Sequence, residues 1–252
     1  MSGRTSNTHV IGPLGSEFWQ IRVSPEAVLH MAERKIDWRV FGRRMLIDAR
    51  AGIISWINPS GPHVGLAEAT DDIVKEAEQF LKGRVRGMRD MRWRKPEDPR
   101  NTGVEADASF YIGDKAEHWY TTAREQGMAG VQVYELRTPA DLIIEVEITN
   151  LDEDKPSRYA KLGVREMWQV NLPKNQDMDQ IRVTILDLQA NGGPRKVEQS
   201  QVLPGLTTTN LPEVYRVAWY GTREELQSVL EKELVISEQI KKKEPLGDGP
   251  QM

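Results

Sequence analysis

The sequence contains no cysteine. That absence excludes disulfides, thiolate metal sites and a thiol nucleophile together. Long apolar runs are missing too, since no stretch approaches the roughly 18 consecutive apolar residues of a membrane span. The opening residues, MSGRTSNTHVIGPLGSEFW, carry no apolar core of a secretory signal. From these absences we expect a cytoplasmic protein without a membrane partner. An excess of positive charge is also lacking. Lys and Arg number 34 against 38 Asp and Glu, for a net charge of −4 and a pI of about 5.7. A protein that coats nucleic acid non-specifically draws on many Lys and Arg phosphate contacts, so that class is disfavoured. An enzyme with a carboxylate site and one basic face is not. The charge is in fact uneven: residues 84–100, RVRGMRDMRWRKPEDPR, are strongly basic, while residues 105–154 are rich in acids.

The 252 residues suffice for one large α/β domain, or one domain with short appendages. Ser24 and Pro25 suggest the start of a short helix over residues 24–35. RRMLID (43–48) and GIISWI (52–57) read as a β-hairpin, followed by a loop, NPSGPH (58–63). Leu66, Ala69, Ile73, Ala77, Phe80 and Leu81 recur at helical spacing, and Gly83 suits the end of that helix. Residues 85–93 read as an extended strand with Arg on its wet face, and 95–103 as a loop. ASFYIG (108–113) is a short strand, and HWYTTAREQG (118–127) is irregular or a short helix. DLIIEVEIT (141–149) is the clearest strand, and its apolar run predicts a central position covered on both faces. A helix from DEDKPSRYAKLG ends at Gly163, strands follow at 165–171 and 180–189, then a loop around LPGL (203–206). A charged helix, REELQSVLEKELVISEQIKKK, closes the pattern. The strand–helix–strand order around 141–171 argues for α/β layers. We divide the chain into an N-terminal extension (1–40), a catalytic-type domain (41–220) and a C-terminal charged helix with a tail (221–252).

Three features carry chemistry. Asp107 stands immediately before a strand. Glu145 and Glu147, two apart on the central strand, share one of its faces. Lys155 lies on the following helix and is placed to lean back over the strand end. Hard divalent cations take carboxylate oxygens, waters and phosphate oxygens as ligands. Such an ion activates water and polarises a scissile phosphate, and an ammonium stabilises developing charge. Alternating glutamates on a strand are commonly no more than a solvent-facing row. Here Leu142, Ile143 and Ile144 predict burial, where carboxylates are costly unless paired or metal-bound.

In this order VEADASFYIG, PADLIIEVEIT and KPSRYAKLGVREMWQV resemble the Uma-two family of restriction endonucleases, within the PD-(D/E)XK nuclease superfamily. The matching residues are Asp107, Glu145-Val146-Glu147, Lys155 with Tyr159 four residues on, and the Gly163 to Trp168 segment. INPSGPHVGLAEATDDIV is similar to the family's proline loop and helix, with His63 at its histidine position. The resemblance covers roughly residues 43–215. It implies a restriction-endonuclease-like α/β core, a mixed central β-sheet flanked by helices. It also implies Mg²⁺ (or Mn²⁺), with Asp107 and Glu145 as main ligands, Glu147 as a further ligand or water-orienting group, and Lys155 as the electrostatic catalyst. Ala106 replaces the proline before the first acid, and IDARAG replaces a family segment that carries an acid.

His63 and Tyr159 are accessory candidates, although a lone histidine in a Pro/Gly loop is more often structural and a tyrosine here more often packs on the sheet. Arg84, Arg86, Arg89, Arg92 and Arg94 are candidates for phosphate contact, against the plain reading of a solvated face. Asp141 reads as a turn cap, Trp168 as core, and Trp56, Trp93 and Trp119 as packing or base-stacking residues. The C-terminal helix is expected to pack on the core or to supply a homodimer interface. The favoured function is Mg²⁺-dependent endonucleolytic hydrolysis of DNA. RNA or another phosphodiester stays open as substrate, and the alternative is a nuclease fold kept as a nucleic-acid-binding or regulatory module.

Overall fold

The computed structural model describes residues 9–11, 18–22, 24, 44–48, 53–57, 61–81, 83–88, 92–93, 104–147, 153–173, 175 and 177–243. Strands β1 (His9–Ile11), β2 (Phe18–Arg22), β3 (Arg44–Asp48) and β4 (Ile53–Ile57) form an antiparallel sheet in the order β1-β2-β4-β3. The expected hairpin is its β3–β4 pair, with Asp48 opposite Ile53. The helix expected at 24–35 and the loop expected at 95–103 lie outside the described residues.

Helix α1 (Gly61–Ala77) begins earlier than its apolar periodicity suggests, taking in residues 61–63 of the expected loop. Pro62 accounts for the difference, because a first-turn proline has no amide partner to lose and arrives with helical φ. Leu66, Ala69, Ile73 and Ala77 form its buried stripe. A 3-10 turn (Glu78–Phe80) ends it. Gly83 has φ +138°, and a Cβ there would lie 2.8 Å from the Gly113 Cα, so this corner requires glycine.

Strand β5 (Val85–Met88) is shorter than expected. Arg92 and Trp93 leave it to form β6 (Arg92–Trp93), which pairs with β7 (Val104–Glu105). Then come β8 (Ala108–Ile112) and α2 (Asp114–Arg137). A straight 24-residue helix would span about 36 Å. Yet Trp119 Nε1 donates to Glu135 Oε1 at 2.8 Å, and the Tyr134 hydroxyl donates to the Lys115 carbonyl at 3.0 Å. The chain therefore folds back on itself at Gly127, whose φ of 64° and ψ of −166° no helix contains. The segment read as irregular or a short helix is thus the first arm of a helical hairpin.

Next are β9 (Leu142–Glu147), α3 (Lys155–Leu162), β10 (Glu166–Asn171), β11 (Arg182–Asp187) and β12 (Arg195–Val197), then α4 (Leu211–Tyr220) and α5 (Arg223–Lys243). Pro156 starts α3, and Gly163 at φ 89° closes it in the left-handed region. The main sheet runs β12-β11-β10-β9-β8-β5, with β9 and β10 parallel and the other neighbours antiparallel. The fold is therefore α/β, a mixed sheet flanked by helices, as in restriction-endonuclease-like cores. Every residue of β9 is buried, as the apolar run predicts.

The sheet separates two apolar layers. Leu142, Ile144, Val146 and Trp168 face one that also holds Leu66 and Ile73 of α1, Tyr215 of α4 and Leu230 of α5. Ile143, Met167 and Leu186 face the other, with Trp119 and Val131 of α2 and Tyr159 of α3. Of the two roles expected for the C-terminal helix, packing on the core is the one observed for Leu226, Leu230 and Leu234. Helix α4 was not anticipated. It docks on α1 through a Thr70–Tyr215 hydroxyl hydrogen bond of 2.7 Å and through Trp219, whose ring occupies the space a Cβ on Gly65 would need. Asp141 is the turn anchor expected: its Oδ2 accepts from the Ile112 amide at 2.9 Å, and its Oδ1 pairs with Lys115 at 2.9 Å.

Glu166 is a buried carboxylate that ties the loop after β12 to the sheet. It accepts from Trp168 Nε1 (2.7 Å), Ser200 Oγ (2.6 Å) and the Gln201 amide (2.7 Å). Burial holds its carboxyl above the usual range, against the pull of these donors. Replacing it by alanine orphans three donors and should cost about 2–4 kcal/mol in denaturant unfolding. Because the folded value is raised, Glu166's contribution is complete below the ordinary glutamate range and declines as pH rises through that folded value. The cost of Glu166→Ala should accordingly be larger at pH 4 than at pH 8, and a cost that grows with pH would contradict the assignment.

Candidate active site

Strand alternation puts Ile143, Glu145 and Glu147 on the α2–α3 side of the sheet, away from the layer that takes Leu142, Ile144 and Val146. Asp107 directly precedes β8, whose Ala108 sits opposite Ile144, so Asp107 comes level with Glu145 on the neighbouring strand. Its amide donates to the Ile144 carbonyl at 3.1 Å, and its Oδ2 accepts from the Val146 amide at 2.6 Å. Asp107 is therefore clamped to β9 on both sides of its α-carbon.

Glu145 is 1% exposed. Lys155 Nζ donates to its Oε2 at 2.6 Å, and the Tyr159 hydroxyl donates to its Oε1 at 2.5 Å. Lys155 and Tyr159 are one helical turn apart on α3, so a single helix face delivers both. Burial pushes the Glu145 carboxyl above its ordinary range. The Lys155 ammonium opposes that shift, and the Asp107 carboxylate adds to it. Burial likewise pushes the Tyr159 phenol well up, reinforced by the charge and hydrogen bond of Glu145. Tyr159 is thus a neutral donor, and both expected roles hold: its ring packs on the sheet and its hydroxyl reaches the site. Glu147 is buried on the same face one step further along β9.

Asp107, Glu145, Lys155 and Tyr159 converge, and Glu147 shares their face. His63 falls in the first turn of α1, with its side chain outside the described part. Arg84 just before β5, the edge strand, and Arg86 within it have guanidinium carbons 3.7 Å and 4.0 Å from the ring centres of Tyr120 and Trp119. Trp119 is buried under Arg86 and bonded to Glu135, so it packs and does not stack on bases. Arg92 belongs to β6, with its side chain outside the described part, and Arg89 and Arg94 lie outside the described residues. Trp168 is core, as expected.

Among the described residues, no group of three or more His, Cys, Asp or Glu side chains is arranged to hold a metal ion. The donor set nevertheless suits one hard divalent cation by its chemistry: Asp107, Glu145 and Glu147 offer only carboxylate oxygens. Sequence reasoning passed over Glu105, which is close enough to influence the Tyr159 phenol. The signal was available, because Glu105 and Asp107 are two apart in extended chain. It also passed over Gln169, which the parallel register sets beside Glu145.

The family model Uma2, described as "Putative restriction endonuclease", matches residues 54–223. The chain belongs to the Uma2 family. That span includes α1, the main sheet, α3, α4 and all of the converging residues. Membership implies a nuclease with a nucleic-acid substrate. No match was found among curated proteins or among solved structures. No helix among the described residues is long and apolar enough to cross a membrane.

The site makes a stability prediction independent of activity. Lys155→Met leaves Glu145 as a buried carboxylate without its ammonium and should destabilise the protein by about 3–5 kcal/mol near neutral pH. Adding Glu145→Gln should recover most of that loss in a double-mutant cycle by denaturant unfolding. Additive losses would mean that the two side chains do not depend on each other.

Proposed function

We propose that the protein is a Mg²⁺-dependent endonuclease that hydrolyses DNA phosphodiester bonds, with Asp107, Glu145, Glu147 and Lys155 as its working residues. The observation that carries this reading is the convergence of Lys155 and Tyr159 on Glu145, level with Asp107 on the next strand. Asp107, Glu145 and Glu147 would hold the ion. When bound, Mg²⁺ (or the chemically similar Mn²⁺) supplies Lewis-acid activation of water and of the scissile phosphate. The Val146 amide holds one oxygen of Asp107 in place. The Tyr159 hydroxyl holds one oxygen of Glu145 and so sets the direction of the other. Lys155, in contact with Glu145, carries the ammonium that would turn toward a phosphate oxygen and stabilise its growing negative charge. Arg84 and Arg86 offer backbone contacts at the sheet edge. A homodimer would match the two-fold symmetry of duplex DNA, and a cytoplasmic location accords with this role.

A second reading is a nucleic-acid-binding or regulatory module that cleaves inefficiently. It is favoured by the fact that both Glu145 oxygens are already engaged by protein donors. Incubation with plasmid, single-stranded DNA and RNA under Mg²⁺, Mn²⁺ or EDTA separates the readings. We expect cleavage of DNA that EDTA abolishes, and a loss of at least about 100-fold in Asp107→Ala and Glu145→Ala, with melting curves showing that both variants fold. Folded variants that cleave like the wild type would refute the site. Binding without cleavage in all samples would favour the second reading, and preferential cleavage of RNA would reassign the substrate.

A further inference from the structure

Register places a polar row beside the carboxylates. The parallel β9–β10 pairing sets Gln169 next to Glu145 and Asn171 next to Glu147. The antiparallel β10–β11 pairing then sets Thr184 opposite Gln169 and Arg182 opposite Asn171. Met167 and Leu186, each two residues away along its strand, are buried with Ile143 on the α2–α3 side, so alternation assigns the whole row to the site's face. Across the sheet the side chains change from carboxylates just before β8 and on β9 to amides on β10, then to a hydroxyl and a guanidinium on β11.

Gln169 is the informative member. It is only 7% exposed, yet its side-chain amide makes no hydrogen bond among the described residues. Its amide atoms are not sealed from solvent, so they can meet a group that lies over the site's face. The neighbours on its row are similarly uncommitted: Thr184 and Asn171 have no side-chain hydrogen bond, and exposed Arg182 has no ion pair, among the described residues. Amide, hydroxyl and guanidinium groups are the donors that contact phosphate and sugar oxygens.

We propose that Gln169, Asn171, Thr184 and Arg182 form a subsite for the sugar–phosphate backbone of the substrate strand, on the β11 side of the carboxylates. The proposal rests on the nuclease reading and specifies where the substrate lies. Gln169 is then a positioning residue beside Glu145, its amide donating to a backbone oxygen.

The test uses the full chain and a fluorescent DNA duplex, with binding measured by polarisation in EDTA and cleavage measured in Mg²⁺. Gln169→Leu should melt no lower than the wild type while binding about 5–10-fold more weakly, the worth of one hydrogen bond. Thr184→Val should weaken binding in the same direction, and Arg182→Ala should reduce the slope of log affinity against log salt by about 1. A Gln169→Leu protein that melts clearly below wild type would make the amide structural and overturn the proposal. Three variants that bind and cleave like a competent wild type would overturn the subsite alone. Wild type that binds with these losses but does not cleave upholds the subsite and overturns the nuclease reading. Wild type that does neither overturns both.

Discussion

A carboxylate in the middle of a fully covered strand is costly unless its charge is met, and Glu145 is met twice, by Lys155 at 2.6 Å and by Tyr159 at 2.5 Å. Much of the local architecture follows from that requirement. Helix α3 has to start close after β9 and run back across the sheet, so that its first residue and the residue one turn later meet the same carboxylate. Pro156 fixes the start and Gly163 the stop. The helix is short because it serves this junction, and β10 then returns parallel to β9. Asp107 is drawn in from the other side, bonded to β9 through its amide and its carboxylate.

Comparison with Glu166 shows why one buried carboxylate reads as reactive and another as structural. Both are 1% exposed, and burial raises both above the ordinary range. Glu166 faces the opposite layer, with Trp168, and is enclosed by an indole, a hydroxyl and a backbone amide. Those neutral donors tie the loop after β12 to the sheet, so the group is a fastener. Glu145 has a lysine whose ammonium ends a flexible stem, with a second carboxylate beside it. A contact that can exchange its cation can take part in chemistry, and a closed set of neutral donors cannot.

The pattern of residues made the centre of the protein legible. The apolar run at 142–147 and the alternation of Glu145 and Glu147 gave the central strand and its polar face, because period two and burial both act locally. The acids near its start and Gly163 at its end gave α3, and Lys155 was expected to lean over the end of β9; that both Lys155 and Tyr159 close on Glu145 was not foreseen. The helical hairpin of α2 was hidden, since its fold-back depends on one backbone angle at Gly127 and on pairs such as Trp119 with Glu135 that sequence distance conceals. Helix α4 was missed although Asn210 and Pro212 mark its start: Asn210 accepts from the Thr207 amide at 2.7 Å, and Pro212 lies in the first turn. Gln169 was illegible for another reason. Its place beside Glu145 is a fact of register between strands, which no single strand encodes.

The net charge of −4, which disfavoured a nucleic-acid coat, acquires a local meaning in this arrangement. Asp107, Glu145 and Glu147 share one face, and the Lys155 ammonium meets Glu145. Three carboxylates on one face make it rich in acids, and a phosphodiester brought there meets that charge. Arg182, across β10 from the acids, can draw in the backbone but sits on the far side of Asn171. Residues of this arrangement alone therefore favour approach of the strand over β11 and oppose its final step toward Glu145. The divalent ion of the proposed function would ease that last step, so the carboxylates, the donor row and the proposed ion belong to one electrostatic argument.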